Sequence, residues 1–483
     1  MVAFIIIPHR FTLRLCNHLH NATTATLVQK TKSDDDAYSY CLLLRAHLRD
    51  GNHNQVLELY DQMRASGPQP NKFVFPLVLK ACAKLSSLSH TQRIHACVVK
   101  MSLTCDPHVA SAMLSAYFKC DHAEAAHLLF DRIPHDRSNI VHWTAMLVGC
   151  ANMGSYLDVL SLFSRMMMTR GMKPNEFTLS TTLSACSRSG MLGSGRGLHA
   201  YIIRHGFTTD AFVLSALLDM YAKCASLQHS CIIFDGATHR DAALWNSMIM
   251  AYGMHGFPEK AFSAFEGMVK SGLRPDKVTF VHLLSACSHT GLLDKGLGYL
   301  KTMGSKYGIQ PSEDHYACIV DLLGRHGRVE DAEKLVRSGM MMNKKLLDGA
   351  VLGALLHACR IHGKTDVGKA VAEKLFKLEP GNVGNYVMMS NMYAEAGRWE
   401  EMRQVRDAIK EKGLKKRPGC SWIEVEKQVH IFVAGDLNHP KLADMHSAIE
   451  SLDAQMRFDC QYKDRHLEQT KDCREGIDVL TYL

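Results

Sequence analysis

The chain has 483 residues, 47% of them hydrophobic and 22% charged, with a formal net charge of +8. That balance excludes extended disorder through the middle of the chain and supplies enough apolar material for continuous burial. Four of the net positive charges fall in residues 1–33, so the rest is only mildly basic, and non-specific phosphate attraction is expected to be modest.

Residues 1–33 carry Arg10, Arg14, Lys30 and Lys32, contain no acid, and give way abruptly to Asp34-Asp35-Asp36. The pattern predicts an organellar transit peptide over residues 1–36, with the mitochondrion placed first and the chloroplast as the alternative. The apolar run Phe4–Ile7 is far shorter than the ~20 residues a membrane-crossing helix needs, and no membrane partner is expected.

From residue 37 the chain repeats with a period of about 101 residues. Ala81-Cys82, Ala185-Cys186 and Ala286-Cys287 recur in step, while Tyr117, Lys119 and Cys120 return as Tyr221, Lys223 and Cys224. Such self-similarity marks a repeat array rather than a single globular core. Within each period Gly67, Gly171 and Gly272 are followed three residues later by Pro70, Pro174 and Pro275, as where a helix stops and cannot resume. Asn71, Asn175 and Asp276 come next, and their side chains start helices well.

Cutting at these marks yields nine units. They are 37–71, 72–106 and 107–139, then 140–175, 176–210 and 211–241, then 242–276, 277–312 and 313–343. Each reads as two amphipathic helices and a turn. In 242–276, Leu244, Trp245, Met248, Ile249 and Tyr252 have helical spacing, His255-Gly256 interrupts it, and Ala261, Phe262, Phe265 and Met268 resume it. A lone hairpin cannot bury both faces, so neighbours must stack. The expected fold is all-α, an α-solenoid with a concave groove.

Sixteen cysteines are present, none in C-x-x-C spacing, and at least five occupy equivalent repeat positions inside helices. They read as small buried thiols, not as a zinc or redox site, and no metal or cofactor is expected. Met166-Met167-Met168 and Met340-Met341-Met342 fall at the ends of second helices, where adaptable packing is expected.

Beyond the array, residues 344–415 form two degenerate hairpins, Ala354–Gly363 with Val371–Leu375 and Tyr386–Ala396 with Met402–Ile409. Period-two alternation in Trp422–Val425 and Val429–Val433 then predicts a β-hairpin within 416–460. Residues 461–483 form a tail containing His466-Leu467-Glu468.

The alternation of long and short units, with Ser184–Ser187 and Ser285–Ser288 (SACS), Tyr221–Cys224 (YAKC), Leu198–Ala200 (LHA) and Val320–Arg325 (VDLLGR), resembles the plant pentatricopeptide repeat proteins of the PLS subclass. The resemblance covers nearly all of the chain after residue 36. Tetratricopeptide repeats are the nearest rival, but their uniform 34-residue period differs.

The resemblance implies a right-handed superhelix that binds single-stranded organellar RNA, one base per repeat, with no DNA partner expected. In the family the fifth and last residues of a repeat read the base. Here these are Cys41 with Asn71, Ser111 with Asn139, Thr144 with Asn175, Ser215 with Asp241, and Asn246 with Asp276. The family's preferences imply adenine for the Ser111 and Thr144 pairs, guanine for Ser215/Asp241 and uracil for Asn246/Asp276, a core target of A-A-N-G-U. Cys41 is not a recognised reader, and extra residues at 138–139 and within Met166–Met168 lengthen their units. An isolated Asn or Asp before a helix is simply an N-cap; recurrence in step with Thr144 and Asn246 adds the reading role.

Tyr38, Phe73, Val141, Phe177, Phe212 and Val278 stand at the second position of their units, while His108, Ala243 and Asp314 break the series. Base stacking and helix–helix packing are both open to these residues.

Residues 344–415 resemble the family's extension repeats, with Leu352 in place of a usual tryptophan, and Pro418–Glu424 resembles its PG box. Protein partners are expected through 344–460. Longer relatives continue into a zinc-dependent cytidine deaminase, which needs one His and two Cys ligands and a catalytic Glu. Only Cys473 follows His466-Leu467-Glu468, so no catalytic residue is expected. The basic cluster Lys410, Lys412, Lys415, Lys416 and Arg417 suits either RNA phosphates or a solvated helix end.

The leading expectation is a site-recognition factor for organellar C-to-U editing, with a deaminase in trans. The alternatives are transcript stabilisation, processing or splicing, and a peptide-binding scaffold.

Overall fold

The computed structural model describes residues 37–133, 139–342, 349–415, 419–425, 428–434 and 441–456. The leader at 1–36, Lys416, Arg417 and Pro418, the tail motif His466-Leu467-Glu468 and Cys473 lie outside the described residues.

Helix pairs follow one another along the chain. The first triplet contains α1 (Ala37–Arg49), α2 (His53–Ser66), α3 (Val74–Lys84), α4 (Leu88–Lys100), α5 (Pro107–Lys119) and α6 (Ala123–Asp131). The second contains α7 (Ile140–Asn152), α8 (Tyr156–Met168), α9 (Glu176–Ser189), α10 (Leu192–Arg204), α11 (Ala211–Lys223) and α12 (Leu227–Gly236). The third contains α13 (Ala242–Met254), α14 (Pro258–Lys270), α15 (Lys277–Thr290), α16 (Leu293–Ser305), α17 (Glu313–Arg325) and α18 (Val329–Met342). Two further pairs are α19 (Gly349–Ile361) with α20 (Thr365–Leu378) and α21 (Val383–Glu395) with α22 (Trp399–Glu411).

The chain divides into two compact units at Glu379/Pro380, so α19 and α20 continue the first stack, with α19 packed on α17. In that unit every odd helix packs on the next odd helix, and every even helix packs on its own partner and on the odd helix that follows. The result is a two-layered α-solenoid.

The sequence accounts for both layers. The recurrent Ala-Cys pairs place Ala81, Cys82, Ala185, Cys186, Ala286 and Cys287 in the interior, where odd helices approach closely. A Cβ on Gly253 of α13 would come within 2.8 Å of the Ala286 Cβ on α15, and one on Gly149 of α7 would overlap the Phe118 ring of α5. The thiols behave as small apolar groups: burial pushes Cys82 and Cys150 up to about 12 and Cys287 and Cys359 up to about 11. Consecutive even helices are also linked by ion pairs, Arg93–Asp61 at 3.1 Å, Arg165–Asp131 at 3.0 Å, Lys295–Glu259 at 2.7 Å and Lys364–Glu330 at 2.8 Å, and α14 and α16 by the rings of Phe262 and Tyr299, 5.5 Å apart.

A helix ends just before each of the three stop glycines, as expected; Gly171 and Gly272 are left-handed, each at φ +82°, while Gly67 is extended at φ −111°. A Cβ there would lie 3.0 Å from the Met63 carbonyl oxygen and 3.1 Å from Tyr40 Oη. Of the first methionine run only Met166 is buried; Met168, the last residue of α8, is 85% exposed. The extra residue of this unit falls in the turn between Met168 and Gly171, since α8 and α14 both span 13 residues. The side chains of Met340, Met341 and Met342 lie outside the description.

In the second unit α21 packs on α22. Strands β1 (Cys420–Val425) and β2 (Gln428–Val433) pair antiparallel, with Trp422 opposite Ile431 and Ile423 opposite His430. Residues 442–456 are helical.

Candidate nucleic-acid interface

The five last-position residues all cap the helix that follows. Asn71 Oδ1 accepts the N–H groups of Phe73 at 3.0 Å and Val74 at 3.3 Å, and Asn139 Oδ1 those of Val141 at 3.0 Å and His142 at 3.3 Å. Asn175, Asp241 and Asp276 each accept through Oδ1 at 2.9 Å, from Thr178, Leu244 and Thr279. Capping therefore engages one terminal atom of each side chain. The other differs in kind: an amide donor in Asn, a carboxylate acceptor in Asp.

The fifth-position residues fall into two groups. Thr144 Oγ1 donates to Ile140 O at 2.7 Å and Ser111 Oγ donates to His108 O at 3.2 Å, so each hydroxyl proton is committed to its own helix and an acceptor lone pair remains. Ser215 Oγ is buried with no hydrogen-bond partner among the described residues. Cys41 is buried within the apolar core.

Asn246 is bound most completely. It is 5% exposed, and its Nδ2 donates to Asp276 Oδ1 at 3.1 Å. The reverse amide orientation would set a carbonyl against the carboxylate, so the hydrogen-bond network fixes which atom is which. Asn246 Oδ1 is then left buried and without a partner. Burial pushes the Asp276 carboxyl up, but hydrogen bonds from the Thr279 N–H, the Thr279 hydroxyl and Asn246 outweigh it and hold the group below its ordinary value.

Two adjoining clefts join these units. One of about 610 Å³ is lined by Ser111, Lys119, Val141 and Thr144; the other, about 680 Å³, by Phe212, Ser215, Asp219 and Asp241. Val148 and Asn152 of α7 line both, so the units from α5 to α13 share one continuous surface of odd helices. Cys41, Asn71, Asn139, Asn175, Asn246 and Asp276 do not line either cleft.

All six second-position residues are exposed, between 37% for Val141 and 63% for Tyr38. Helix–helix packing does not bury them. His108, Ala243 and Asp314 are exposed too, so the position faces solvent whatever residue fills it.

Several polar groups on this layer escaped the sequence reading although familiar strings contain them. Ser187, the last residue of SACS, donates to Asp219 Oδ2 at 3.1 Å, and Lys223 of YAKC reaches Asp219 Oδ1 at 2.7 Å. Ser288, Asp321 and Arg325 repeat the arrangement, at 2.5 Å and 2.9 Å. In the first triplet the corresponding residues are Ala83 and Ser115, so Lys119 is exposed with no partner among the described residues. His282 is a further one: its Nδ1–H donates to the Asn246 carbonyl at 2.9 Å.

In the second unit, Lys412 Nζ donates to Tyr386 Oη at 3.0 Å and Lys410 lies 3.5 Å from Asp407. These two members of the basic cluster are engaged within their own unit.

Family profiles match in several places. A pentatricopeptide repeat domain profile covers residues 28–84, the PPR repeat profile 141–168 and 278–307, a PPR repeat family profile 240–289, and an E motif profile 362–424. The Arabidopsis thaliana pentatricopeptide repeat-containing protein At1g33350 is 36% identical over 80% of this chain and 77% of its own length. Another Arabidopsis relative, At1g08070, chloroplastic, is 36% identical over 81% of the chain, which spans 52% of that protein. The solved structure of PPR10 in complex with an 18-nucleotide psaJ RNA element superposes with a TM-score of 0.54 over 80% of this chain and 57% of that one, at 19% identity.

Proposed function

Since the chain belongs to the pentatricopeptide repeat family, we propose that it is a sequence-specific single-stranded RNA-binding protein of the PLS subclass that selects an organellar C-to-U editing site. The target core is A-A-N-G-U, and residues 344–460 recruit a deaminase that acts in trans. The mitochondrion is the first choice of compartment and the chloroplast, named for At1g08070, the alternative.

The observation that carries this reading is the pairing of Asn246 with Asp276. The carboxylate fixes the carboxamide and leaves an acceptor, Asn246 Oδ1, with no internal partner. A buried orphan acceptor costs free energy unless something donates to it, and the N3–H of uracil becomes such a donor when RNA binding uncovers the atom. At Thr144 and Ser111 the committed hydroxyls leave acceptors that suit the amino group of adenine. Six exposed apolar side chains, one for each of six repeats, offer faces against which bases stack. The E motif match over 362–424 supports a protein-recruiting role for the segment after the array.

RNA sequencing of organelles from a loss-of-function line tests the proposal. Loss of one C-to-U conversion downstream of A-A-N-G-U is expected. Altered transcript ends or retained introns would point to stabilisation or splicing, and unchanged RNA would favour a peptide-binding scaffold.

A further inference from the structure

Asn246 is held at two points by one neighbouring helix. Asp276, the N-cap of α15, takes the side-chain amide at 3.1 Å, and His282, six residues further along α15, donates from Nδ1 to the Asn246 main-chain carbonyl at 2.9 Å. We propose that His282 is a positioning residue for base recognition at this repeat: by tying the Asn246 backbone to α15 it fixes the reader against Asp276 and so sharpens discrimination for uracil. This inference rests on the base-reading role proposed above and goes beyond the two positions in each repeat that it uses.

The geometry is particular to this repeat. The equivalent residues at the other two long-unit junctions are Leu77, whose side chain has no hydrogen-bonding group, and Thr181. The reader there also differs. Thr144 is anchored by its own helix through Ile140 O and needs no neighbour, whereas a carboxamide on a longer side chain turns about one more torsion. A reader free to shift by a fraction of an ångström presents Oδ1 to the wrong edge as readily as to the right one. Clamping both its backbone and its amide removes that freedom before RNA arrives, which raises discrimination more than total affinity.

The test uses the full chain and four RNAs differing only in the fifth base of A-A-N-G-U, with a second set varying the guanine. His282→Leu should reduce the preference for uracil over adenine by about threefold to tenfold, the equivalent of one neutral hydrogen bond. Preference for guanine at the fourth base should be unchanged. His282→Gln, whose amide can still donate, should recover most of the loss. An undiminished uracil preference in His282→Leu overturns the proposal, as does a parallel fall in uracil and guanine preference, which would mark general loosening of the stack. If the unaltered protein shows no preference at the fifth base, the reading role of Asn246 itself fails, and this proposal with it.

Discussion

The rings of Phe177 and Phe212 come from consecutive repeats, yet their centroids lie 5.8 Å apart with planes inclined at 57°. Both are more than half exposed, so they touch each other on the surface and not in the core. A base sandwiched between parallel rings needs two van der Waals gaps, about 7 Å in all. The slot opposite unit 176–210 is therefore closed in the free protein. Opening it costs an aromatic contact of about 0.5–1.5 kcal/mol. An abasic nucleotide at the N of A-A-N-G-U should accordingly weaken binding less than threefold, against tenfold or more at the guanine, with fluorescence anisotropy as the readout. Equal losses at both places would mean that the rings part to admit a base.

Capping and reading can be separated at Asp276. Its Oδ1 caps α15, and an Asn would cap equally well while exchanging an acceptor for a donor at the other terminal atom. Asp276→Asn should leave the melting temperature nearly unchanged, whereas Asp276→Ala should cost about 1 kcal/mol. Combined with Asn246→Ser, the Asn variant should turn the uracil preference toward adenine by at least tenfold, about 1.4 kcal/mol. A double variant that binds as well to uracil as before would place base reading elsewhere in the repeat.

The Ser187–Asp219–Lys223 arrangement and its copy at Ser288–Asp321–Arg325 neutralise two cations of the odd-helix layer, and Lys119 has no such partner among the described residues. Each phosphate contact to a single strand contributes about 0.7 to the slope of log K against log salt. Lys119→Ala should lower that slope by about 0.7, and Lys223→Ala should leave it unchanged. Titrations across a salt series distinguish the two; equal effects would show that the carboxylate does not withhold Lys223.

Much of the stack was legible because its physics is local and repeated. Helical spacing, stop signals and Asn or Asp caps marked the units, and period-two alternation marked the β-hairpin whose Trp422 pairs with Ile431. Exposure of the second position was not legible, since Phe and Val suit a core as well as a stacking face, and only the folded stack separates the two. Nor was His282: its role depends on the neighbour reached across 36 residues of chain, and a single histidine in a helix has no periodicity.

Close packing of the odd helices should make their glycines sensitive. Gly253→Val would drive branched atoms into Ala286 on the next odd helix, and overpacking of this kind costs about 1–3 kcal/mol. Met168→Ser, on an 85% exposed residue, should stay within about 0.5 kcal/mol. Urea denaturation measures both. A neutral Gly253→Val would mean that the odd layer has slack.

Acid should loosen the array through its histidines before its carboxylates. His95 shares a 2.7 Å hydrogen bond with Tyr117 of the next repeat, and His199 one of 2.9 Å with Tyr221. Burial lowers both imidazoles below the ordinary 6.5, with Arg132 adding to the effect at His95 and His229 at His199. A base whose folded pKa lies below its unfolded value resists protonation only while folded. Its contribution is complete above 6.5 and is lost as pH falls below that value. Asp276 and Asp321, lowered from 3.8, hold their contribution until far more acidic conditions. Between 6.5 and about 5 the histidines therefore dominate. The urea midpoint should fall steadily across that window, and His95→Gln with His199→Gln should make the fall shallower, the remainder coming from His142, His282 and His315, which burial lowers as well. A midpoint that rises on acidification would show that the imidazoles are charged in the folded state.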